Sequence, residues 1–581
     1  MKFEELVNFF DIIENTSSRL LMISHLVNLF KKTPEEVIDK VVYLAEGKLY
    51  PEFVGIELGI AEKLALKALS MSSGLSKDKV ENEYKKRGDI GIITEDILKT
   101  RMQTTLFKRE LSVEDVYTDL DKIARMSGSG STDLKIRILS GLLADASPKE
   151  AKYIMRIVTG KMRIGIANMT IVAALSQAFA QGRKDAIENM YNVTSDLGEV
   201  ARELKRNGAA SIQNYGIRVG RPIRMMLAQR MNSAKEIIDK MGTVICEYKY
   251  DGMRIQIHKN GNKISLFTRN LEQVTDQYPD VVKYAQNIKA HDAIVEGEVV
   301  TIDPAGYILP FQELMHRRRK YDIDDKALEF PVQMYLFDCL LIEDKDMMYK
   351  PLIERRMVLK DSIIETDNIR LSHAIISNNI LEIENYFENS IENGCEGLML
   401  KDMNSTYRAG AREWSWVKLK RSYQSKMSDP IDVVIVGAYM GRGRRSGTYG
   451  ALLVAVYNHE KDVFSTISKV GSGFTDEELE DLPKKLNSYI LDKKHARVES
   501  IMKADVWFEP KLVMEVIGDE LTLSPIHPCA WDAIRENSGI AIRFPRFLHN
   551  WRYDKGPEDA TTTLEIIDMY KSQLKKIDEK N

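Results

Sequence analysis

The segment Cys246-Glu-Tyr-Lys-Tyr-Asp-Gly-Met-Arg254 decides how the central part of this 581-residue chain is interpreted. If it forms a β-strand, the alternation of side chains places Glu247, Lys249 and Asp251 on one face and the cysteine and tyrosines on the other. A lysine between two carboxylates fits two interpretations. It is either part of an ion-pair ladder on the surface or a reactive group inside a site, and the segment alone does not decide between them.

Three later segments carry charge on strands that are otherwise largely apolar, and they favour a site. They are Val295-Glu-Gly-Glu-Val-Val300, Glu396-Gly-Leu-Met-Leu-Lys401 and Trp416-Val-Lys-Leu-Lys420. Buried charges are costly unless they are paired or bound to a ligand. Lysines that bind phosphates and carboxylates that bind Mg²⁺ would satisfy these groups together. Since the chain lacks the G-x-x-x-x-G-K-[ST] pattern, we expect side chains, not a P-loop, to hold a nucleoside triphosphate.

Length and composition limit the class of protein. At roughly 150 residues per domain, a chain of this length predicts three or four domains. The sequence is 44% hydrophobic and 29% charged, and it has no run of ~18 apolar residues that could span a bilayer. The four cysteines lie far apart and form no C-x-x-C pair. We therefore expect reduced thiols and a cytoplasmic location, not a disulfide or zinc framework.

Charge alone neither supports nor excludes a nucleic-acid partner. The formal net charge is −3, but binding depends on a basic surface in the right place and not on a basic total. Two local basic clusters exist, His316-Arg-Arg-Arg-Lys320 and Arg442-Gly-Arg-Arg445. Either cluster taken alone is also explained as an ordinary solvated face.

Residues 1–215 have helical periodicity and predict one helical domain. A polar loop is expected over Ser127-Gly-Ser-Gly-Ser-Thr132, and another helix begins at Ser147-Pro-Lys-Glu150, where Ser147 and Glu150 have the spacing of a capping box. Near the N-terminus a helix is predicted after the capping candidates Ser17 and Ser18. The apolar residues that follow its 3.6-residue periodicity are Leu20, Ile23, Val27 and Phe30.

The pattern changes near Gly220-Arg-Pro222, where short β-rich segments begin to alternate with helical ones. The stretch from Thr243 to Arg269 predicts a hairpin, with Asn260-Gly261 as its tight turn. After a polar linker from Ser422 to Asp429, short strands separated by glycine-rich turns predict a small β-barrel, followed by a terminal helix from Leu564. The predicted fold is therefore multidomain, with an all-α part followed by α+β and β-barrel parts.

Lys249-Tyr-Asp-Gly252 resembles the K-x-D-G nucleotidyl-lysine motif of the covalent nucleotidyltransferases, which are DNA ligases, RNA ligases and mRNA capping enzymes. Five later segments resemble the family's further motifs, in the same order: Phe267-Thr-Arg-Asn270, Val295-Glu-Gly-Glu298, Tyr335-Leu-Phe-Asp338, Glu396-Gly-Leu-Met-Leu-Lys401 and Trp416-Val-Lys-Leu-Lys420. In the first of these five segments, Thr268 stands where serine is more usual in the family.

Nearly the whole chain resembles the large ATP-dependent DNA ligases of the archaeal and eukaryotic replicative type. Thr159-Gly-Lys-Met-Arg-Ile-Gly165 resembles part of their helical DNA-binding domain, and Ile542-Arg-Phe-Pro-Arg-Phe547 resembles part of their OB-fold. The resemblance implies a helical DNA-binding domain over residues 1–215, a mixed α/β nucleotidyltransferase domain over residues 216–425 and an OB-fold domain over residues 426–581.

The resemblance also implies a role for each motif residue. Lys249 would attack the α-phosphorus of ATP to form lysyl-AMP, Phe337 would stack on adenine, and Glu247 would read the edge of the base. Glu298 and Glu396 would bind Mg²⁺, with Glu298 also near the ribose. The residues expected to hold ribose and phosphates are Arg254, Arg269, Arg412, Lys418 and Lys420; those expected to orient pyrophosphate in the first step are Arg552, Asp554 and Lys555.

The implied partners are nicked duplex DNA and the replication sliding clamp, with the ligase itself monomeric. Phosphate contacts are expected from Lys161 and Arg163 and from the cluster Arg442 to Arg445. Gln103-Thr-Thr-Leu-Phe107 resembles the peptide with which archaeal ligases engage the clamp, using Gln103, Leu106 and Phe107. The alternative is that Leu106 and Phe107 begin a helix and point into the core.

Two rival functions belong to other classes. An RNA ligase or a capping guanylyltransferase would share the lysine motif, but such enzymes generally lack a domain like residues 1–215. A noncatalytic nucleic-acid clamp with a decayed site is the second rival. The presence together of Lys249, Glu298, Glu396 and Lys418 argues against decay.

Overall fold

The computed structural model describes residues 1–16, 18–100, 109–128, 130–231, 233–303, 306–309, 311–315, 317, 323–420, 430–441 and 447–578. These residues form two compact units, Met1–Leu419 and Lys420–Asn581. In the described part of the chain, no helix combines the length and the apolar character needed to cross a membrane. The clamp-like segment, the cluster Arg442 to Arg445 and the linker Ser422 to Asp429 lie outside the described residues.

The N-terminal half of the first unit is helical, and its helices share one apolar core that includes Phe10, Phe30 and Tyr153. The helices are α1 (Phe3–Glu14), α2 (Arg19–Lys32), α3 (Ile38–Glu46), α4 (Glu62–Ser73), α5 (Lys77–Arg87), α6 (Ile90–Lys99), α7 (Val113–Arg125), α8 (Ser131–Asp145), α9 (Pro148–Val158), α10 (Asn168–Phe179), α11 (Lys184–Thr194) and α12 (Leu197–Asn207).

Two helix starts show how well local signals specify this half. The capping box at Ser147 and Glu150 is present, because each side chain bonds the backbone N–H of the other residue. Ser18 caps α2 by accepting from the N–H of Leu21, but Leu20 is 77% exposed. The helix begins where it was predicted, and Leu20 lies in its first turn without contributing to the core.

The second half of the first unit contains two sheets with helices packed against them. Its elements are β1 (Leu227–Arg230), α13 (Ala234–Met241), β2 (Val244–Lys249), β3 (Met253–Asn260), β4 (Lys263–Thr268), α14 (Pro279–Ala285), β5 (Asp292–Thr301), α15 (Phe311–Met315), α16 (Ile323–Glu329), β6 (Val332–Ile342), β7 (Lys345–Asp346), α17 (Leu352–Asp361), β8 (Ile369–Leu371), β9 (Ala374–Ser377), α18 (Ile380–Glu392), β10 (Gly397–Asp402) and β11 (Arg412–Lys420).

The two sheets divide the charged strands between them. One has the order β1-β11-β10-β2-β9, and the other has the order β4-β3-β5-β6-β7 with β8 beside β6. The predicted hairpin is present as β3 and β4, joined through Gly261 with a positive φ of 56°. The prediction placed β2 in the same hairpin, whereas β2 pairs with β9 and β10. The segment Tyr250-Asp-Gly252 therefore carries the chain from one sheet to the other.

The second unit contains a curved, mainly antiparallel sheet in which β12 pairs with β13, β17 and β18, and β18 pairs with β21. Its strands β14 and β16 pair in parallel. A separate hairpin of β19 and β20 packs with it. Its elements are β12 (Ile431–Met440), β13 (Tyr449–Asn458), β14 (Val463–Val470), α19 (Asp476–Leu486), β15 (Ile490–Leu491), β16 (Val498–Glu499), β17 (Val506–Phe508), β18 (Val513–Ile517), β19 (Glu520–Ser524), β20 (Gly539–Arg543), β21 (Arg546–Trp551) and α20 (Thr563–Asp578).

Candidate active site

Lys249 is the last residue of β2, where the strand lies antiparallel to β10. The backbone N–H of Glu396 donates to the carbonyl of Lys249 at 2.8 Å. The same two residues also meet through their side chains, because the Lys249 ammonium forms an ion pair with the Glu396 carboxylate. Both side chains keep about one-fifth of their surface exposed, so a ligand can reach the amine from solvent.

The charges around Lys249 hold it in the protonated form. Burial by itself lowers the pKa of Lys249, but the carboxylates of Glu396 and Glu298 outweigh burial and raise the pKa above its ordinary value. Burial raises the pKa of Glu298 to about 7, against the opposing charges of Lys249 and Arg254. The site therefore has more negative than positive charge next to the amine, and it favours a bound cation.

Glu247, two residues earlier on β2, is buried between two cations. Arg356 forms an ion pair with one of its oxygens, and the Lys401 ammonium lies 2.7 Å from the other. The Lys401 nitrogen also lies 4.5 Å from the centroid of the Phe337 ring and 4.1 Å from that of Trp416. Burial lowers the pKa of Lys401, with the Glu247 charge acting in the opposite direction. The predicted base-reading carboxylate and the predicted aromatic platform are therefore neighbours.

Arg254 is held beside the same aromatic rings. Its guanidinium carbon lies 5.2 Å from the Phe337 centroid, and its Nη2 donates to the Glu296 carboxylate at 2.7 Å. The hydroxyl of Tyr407 lies 3.1 Å from both oxygens of Glu296. Among the described residues, the buried Arg254 Nε and Trp416 Nε1 have no hydrogen-bond partner. These two nitrogens are buried donors that no acceptor in the described part of the chain satisfies.

The segment 220–226, which follows the helical half, is bound to β3 through alternate side chains of that strand. The amide of Gln256 bonds both the N–H and the carbonyl of Ile223, at 2.7 and 3.2 Å. Arg254 donates to the carbonyl of Met226 at 2.8 Å, and Nδ1 of His258 accepts from the N–H of Gly220 at 3.0 Å. The side chains that hold this segment therefore share one face of β3.

The buried His258 should make the folded protein less stable at acidic pH. Burial lowers its pKa to about 3, so below the ordinary pKa of about 6.5 only the unfolded chain takes up this proton. The free energy of unfolding should fall as pH drops from about 6.5 towards 3. Between pH 7 and 5 the contribution of this group is about 2 kcal/mol. In urea titrations of the His258→Gln variant, the free energy of unfolding should fall less between pH 7 and 5 than in the native chain. The control variant His291→Gln, at an exposed position, should show the same fall as the native chain.

The other predicted nucleotide ligands lie on β11 or directly after β4. Arg269 follows β4 and is exposed. Arg412 is exposed at the start of β11 and donates to the carbonyl of Ala228 at 3.4 Å. Lys418 is partly buried on the same strand, opposite Arg230. The backbone of Lys420 ends β11, but its side chain lies outside the described part of the chain.

The three residues predicted to orient pyrophosphate form one cluster in the second unit. Arg552 donates to Asp432 at 3.0 Å and to Asp554 at 2.8 Å, and Lys555 donates to Asp432 at 2.6 Å. The hydrogen bond from Arg552 lowers the pKa of Asp554 to about 2. Asp432, which sequence analysis did not identify, therefore holds both cations in place.

The predicted DNA contacts of the helical half are already engaged in ion pairs. Lys161 pairs with Glu62, and Arg163 donates to Asp89 at 2.9 Å. Asp89 also accepts from the buried Arg156 at 3.0 Å. In this conformation neither Lys161 nor Arg163 is a free phosphate ligand, and local sequence could not show this because the acidic partners are far away along the chain. Arg317, from the other basic cluster, is likewise buried, where it donates to Asp280.

The carboxylates near Lys249 fit a divalent cation bound jointly with a nucleotide. Within the described ranges, no group of three or more side chains forms a ready-made metal cage. Glu298 and Glu396, with Asp251 contributing negative charge nearby, nevertheless offer the hard oxygen donors that Mg²⁺ prefers. Mg²⁺ commonly completes its shell with substrate phosphates and water, so two protein carboxylates are a suitable donor set.

Four residues that hold the predicted ligands of the first unit in place were given no role from the sequence: Arg356, Lys401, Glu296 and Tyr407. Lys401 and Glu296 lie inside motifs that were recognised, so their charge on an apolar strand was a usable signal. Arg356 and Tyr407 lie outside every motif. They act only because the fold brings them to the site.

Comparisons with protein families match three consecutive parts of the chain. The model described as DNA ligase N terminus matches residues 2–176. The model described as ATP dependent DNA ligase domain matches residues 225–420, and that described as ATP dependent DNA ligase C terminal region matches residues 445–555.

Individual proteins are similar along the whole chain. A protein named DNA ligase from Staphylothermus marinus is 50% identical, covering 100% of both chains. A protein named DNA ligase 2 from Korarchaeum cryptofilum is 48% identical, covering 100% of this chain and 98% of its own. The solved structure named Pmar-Lig_PreS3 has a similar fold, with a TM-score of 0.55 at 17% identity, covering 94% of this chain and 99% of its own.

Proposed function

The chain belongs to the family of ATP-dependent DNA ligases, and from that premise we propose how its own residues seal a nick in duplex DNA. The predicted fold class is confirmed: a helical N-terminal domain, a nucleotidyltransferase domain and an OB-like domain with a curled sheet. Nick sealing with ATP, in replication, repair and recombination, is the activity of this family. The roles of the individual residues are our proposal.

The observation that carries the proposal is the pairing of Lys249 with Glu396 beside Glu298. Lys249 attacks the α-phosphorus of ATP, a nitrogen–phosphorus bond forms, and the bond to the pyrophosphate oxygen breaks. The ammonium must first lose a proton, and Glu396 is the group that already accepts a hydrogen bond from it. AMP then passes to the 5′-phosphate of the nick, and the 3′-hydroxyl displaces it.

We place the base at Phe337, with Glu247 at its edge and Arg254 at the ribose and phosphates. This placement is supported by the guanidinium carbon of Arg254, which lies 5.2 Å from the Phe337 centroid and 5.4 Å from the Trp416 centroid. Lys418 and Lys420 on β11, with Arg269 and Arg412, are proposed as further phosphate ligands. Arginine provides forked contacts and lysine provides point charges, and both stabilise an in-line transfer of the phosphoryl group.

We propose Glu298 and Glu396 as the Mg²⁺ ligands. Bound with ATP, the ion supplies positive charge that offsets both the phosphates and the surrounding carboxylates. We predict that Glu298→Gln raises the Mg²⁺ concentration needed for half-maximal self-adenylylation by at least about tenfold. Asp292→Asn, on the same strand but outside the site, is the matched control. An unchanged Mg²⁺ requirement in Glu298→Gln would remove this residue from the metal site.

In the second unit, we propose that Arg552, Asp554 and Lys555 orient pyrophosphate during the first step only. The cluster is held by Asp432, so the two cations are presented together.

We also propose the domain limits 1–215, 216–425 and 426–581, a monomeric enzyme, and a cytoplasmic location associated with the nucleoid. We further propose that the cluster Arg442 to Arg445 contacts DNA.

Lys161 and Arg163 are proposed to contact DNA only when they leave their present partners, Glu62 and Asp89. Each contact with DNA then replaces an existing ion pair, so it should add less binding free energy than a contact made by an unpaired cation. Each phosphate neutralised steepens the fall of log K with log salt by roughly 0.9. The salt dependence of nick binding therefore measures how many such contacts form.

We propose that Gln103, Leu106 and Phe107 engage the sliding clamp, with the two apolar side chains in a pocket on the clamp and Gln103 at its edge. Phe107→Ala should then remove stimulation by the clamp while leaving melting temperature and clamp-free nick sealing intact. If Phe107 belongs to the core instead, the same change should cost about 3–5 kcal/mol of stability. A strongly destabilised Phe107→Ala would therefore count against the clamp as partner.

A further inference from the structure

We propose that Arg356 is a specificity-determining residue, which fixes the Glu247 carboxylate so that it recognises the 6-amino group of adenine. The inference rests on the proposed function, because it takes Glu247 as the group at the edge of the base. It adds a residue from α17, outside every recognised motif, and the chemical feature of the nucleotide that this residue makes the enzyme select.

The orientation of the Glu247 carboxylate is set by its neighbours. Its side chain is 3% exposed, and its two oxygens are bonded separately, one by Arg356 and one by Lys401. Lys401 reaches the carboxylate from above the rings of Phe337 and Trp416. Arg356 bonds the other oxygen of the carboxylate, and among the contacts described Lys401 alone of the two cations also lies over these rings. The plane of the carboxylate is thus set by two donors from different elements.

Arg356 is itself rigidly held. Its Nη1 donates to the hydroxyl of Ser372 at 3.0 Å, and its Nη2 donates to the carbonyl of the same residue at 3.2 Å. The preceding residue, Arg355, is fully buried and bonds both oxygens of the buried Asp338. Helix α17 is therefore fixed to β6, the strand that carries Phe337. The cation that orients Glu247 and the proposed aromatic platform share one support.

The chemistry of a fixed carboxylate defines the base that it selects. An ionised carboxylate only accepts hydrogen bonds, so it suits the amino group at position 6 of adenine and opposes the carbonyl oxygen at the same position of a 6-oxopurine. Because a carboxylate has about four lone-pair sites, Glu247 can accept from the base as well as from its two cations. A buried site of this kind that receives no donor from the base loses more than one that can turn towards water. Two flanking cations offset the cost of burying Glu247 and prevent this turn. The pocket therefore selects adenine because the Glu247 carboxylate has a fixed orientation, and Arg356 is one of the two residues that fix it.

The experiment compares self-adenylylation with ATP and self-nucleotidylation with purine riboside triphosphate, which lacks only the 6-amino group. The native chain should prefer ATP in apparent affinity by about ten- to a hundredfold, the range for a hydrogen bond to a charged group. Arg356→Met should lose most of this preference through weaker ATP binding. Its rate at saturating nucleotide and its affinity for the analogue should stay within about twofold of the native values.

Three variants separate the possible outcomes. Lys360→Met, which removes a positive charge from the exposed end of the same helix, should keep the native preference. Arg356→Lys keeps the charge but not the fork to Ser372, and it should give an intermediate preference even if Arg356→Met does not fold. An equal loss for both nucleotides, or an unchanged preference in Arg356→Lys and Arg356→Met, would overturn the proposal.

Glu247→Gln distinguishes failure of this inference from failure of the proposed function. If Glu247→Gln abolishes the preference and the Arg356 variants keep it, then Glu247 reads the base and Arg356 does not position it. If Glu247→Gln also keeps the preference, then the proposed role of Glu247 is wrong, and the inference fails with it. Absence of covalent labelling with either nucleotide in the native chain would instead contradict the proposed reaction.

Discussion

Lys249→Ala should abolish the formation of lysyl-AMP completely, because the amine is the atom that bonds to phosphorus. The same variant should still seal a nick that already carries 5′-AMP, since the final step requires the 3′-hydroxyl and not the amine. Labelling with α-labelled ATP measures the first property, and sealing of a pre-adenylylated nick measures the second.

Lys345→Ala is the matched control, because Lys345 is an exposed lysine on β7 in the other sheet. It should retain both activities. A labelled Lys249→Ala protein would show that another residue accepts AMP. Loss of sealing on the pre-adenylylated nick would show that the substitution disrupts more than the nucleophile.

Asp338→Ala should be the most destabilising of the single substitutions considered, at about 3–5 kcal/mol. Asp338 and Arg355 are both completely buried, and two hydrogen bonds of 2.7 and 3.0 Å join them. Removing the carboxylate leaves the guanidinium buried without a counter-charge. Denaturant unfolding followed by a signal from the first unit measures the loss.

Two further variants test the physical reason for that loss. Asp367→Ala breaks the ion pair with Arg370, in which Asp367 is 93% exposed, and it should cost less than about 1 kcal/mol. The double variant Asp338→Leu with Arg355→Met should recover part of the stability, because it removes the buried charge together with its partner. A cost below about 1 kcal/mol for Asp338→Ala would contradict the account of this pair.

Local features of the fold followed from the sequence because their causes are local. The capping box at Ser147 and the turn at Gly261 depend on residues a few positions apart, and both are present. The assignment of strands to sheets did not follow. Nothing in the period-two pattern of residues 243–269 distinguishes a hairpin from a strand that leaves for another sheet after Gly252, because register depends on partners far along the chain.

The candidate site shows the same division. Its reactive lysine and carboxylates lie in short motifs, and their charge on apolar strands made them visible. The residues that orient them are distant: Arg356 is separated from Glu247 by 109 positions, and Tyr407 from Glu296 by 111. The acidic partners of Lys161 and Arg163 are also remote. A cation read from sequence alone looks free, and only the fold shows which cations already have a partner.

The central claim is that AMP passes through a covalent bond to Lys249 on its way to DNA. The most direct measurement is a pulse with α-labelled ATP, digestion and mapping of the labelled peptide, followed by a chase with unlabelled nicked DNA. The account predicts label on the peptide that contains Lys249 and its transfer to the 5′ end of the nick during the chase. Sealing of DNA while the protein stays unlabelled, or label that persists on another peptide throughout the chase, would contradict it.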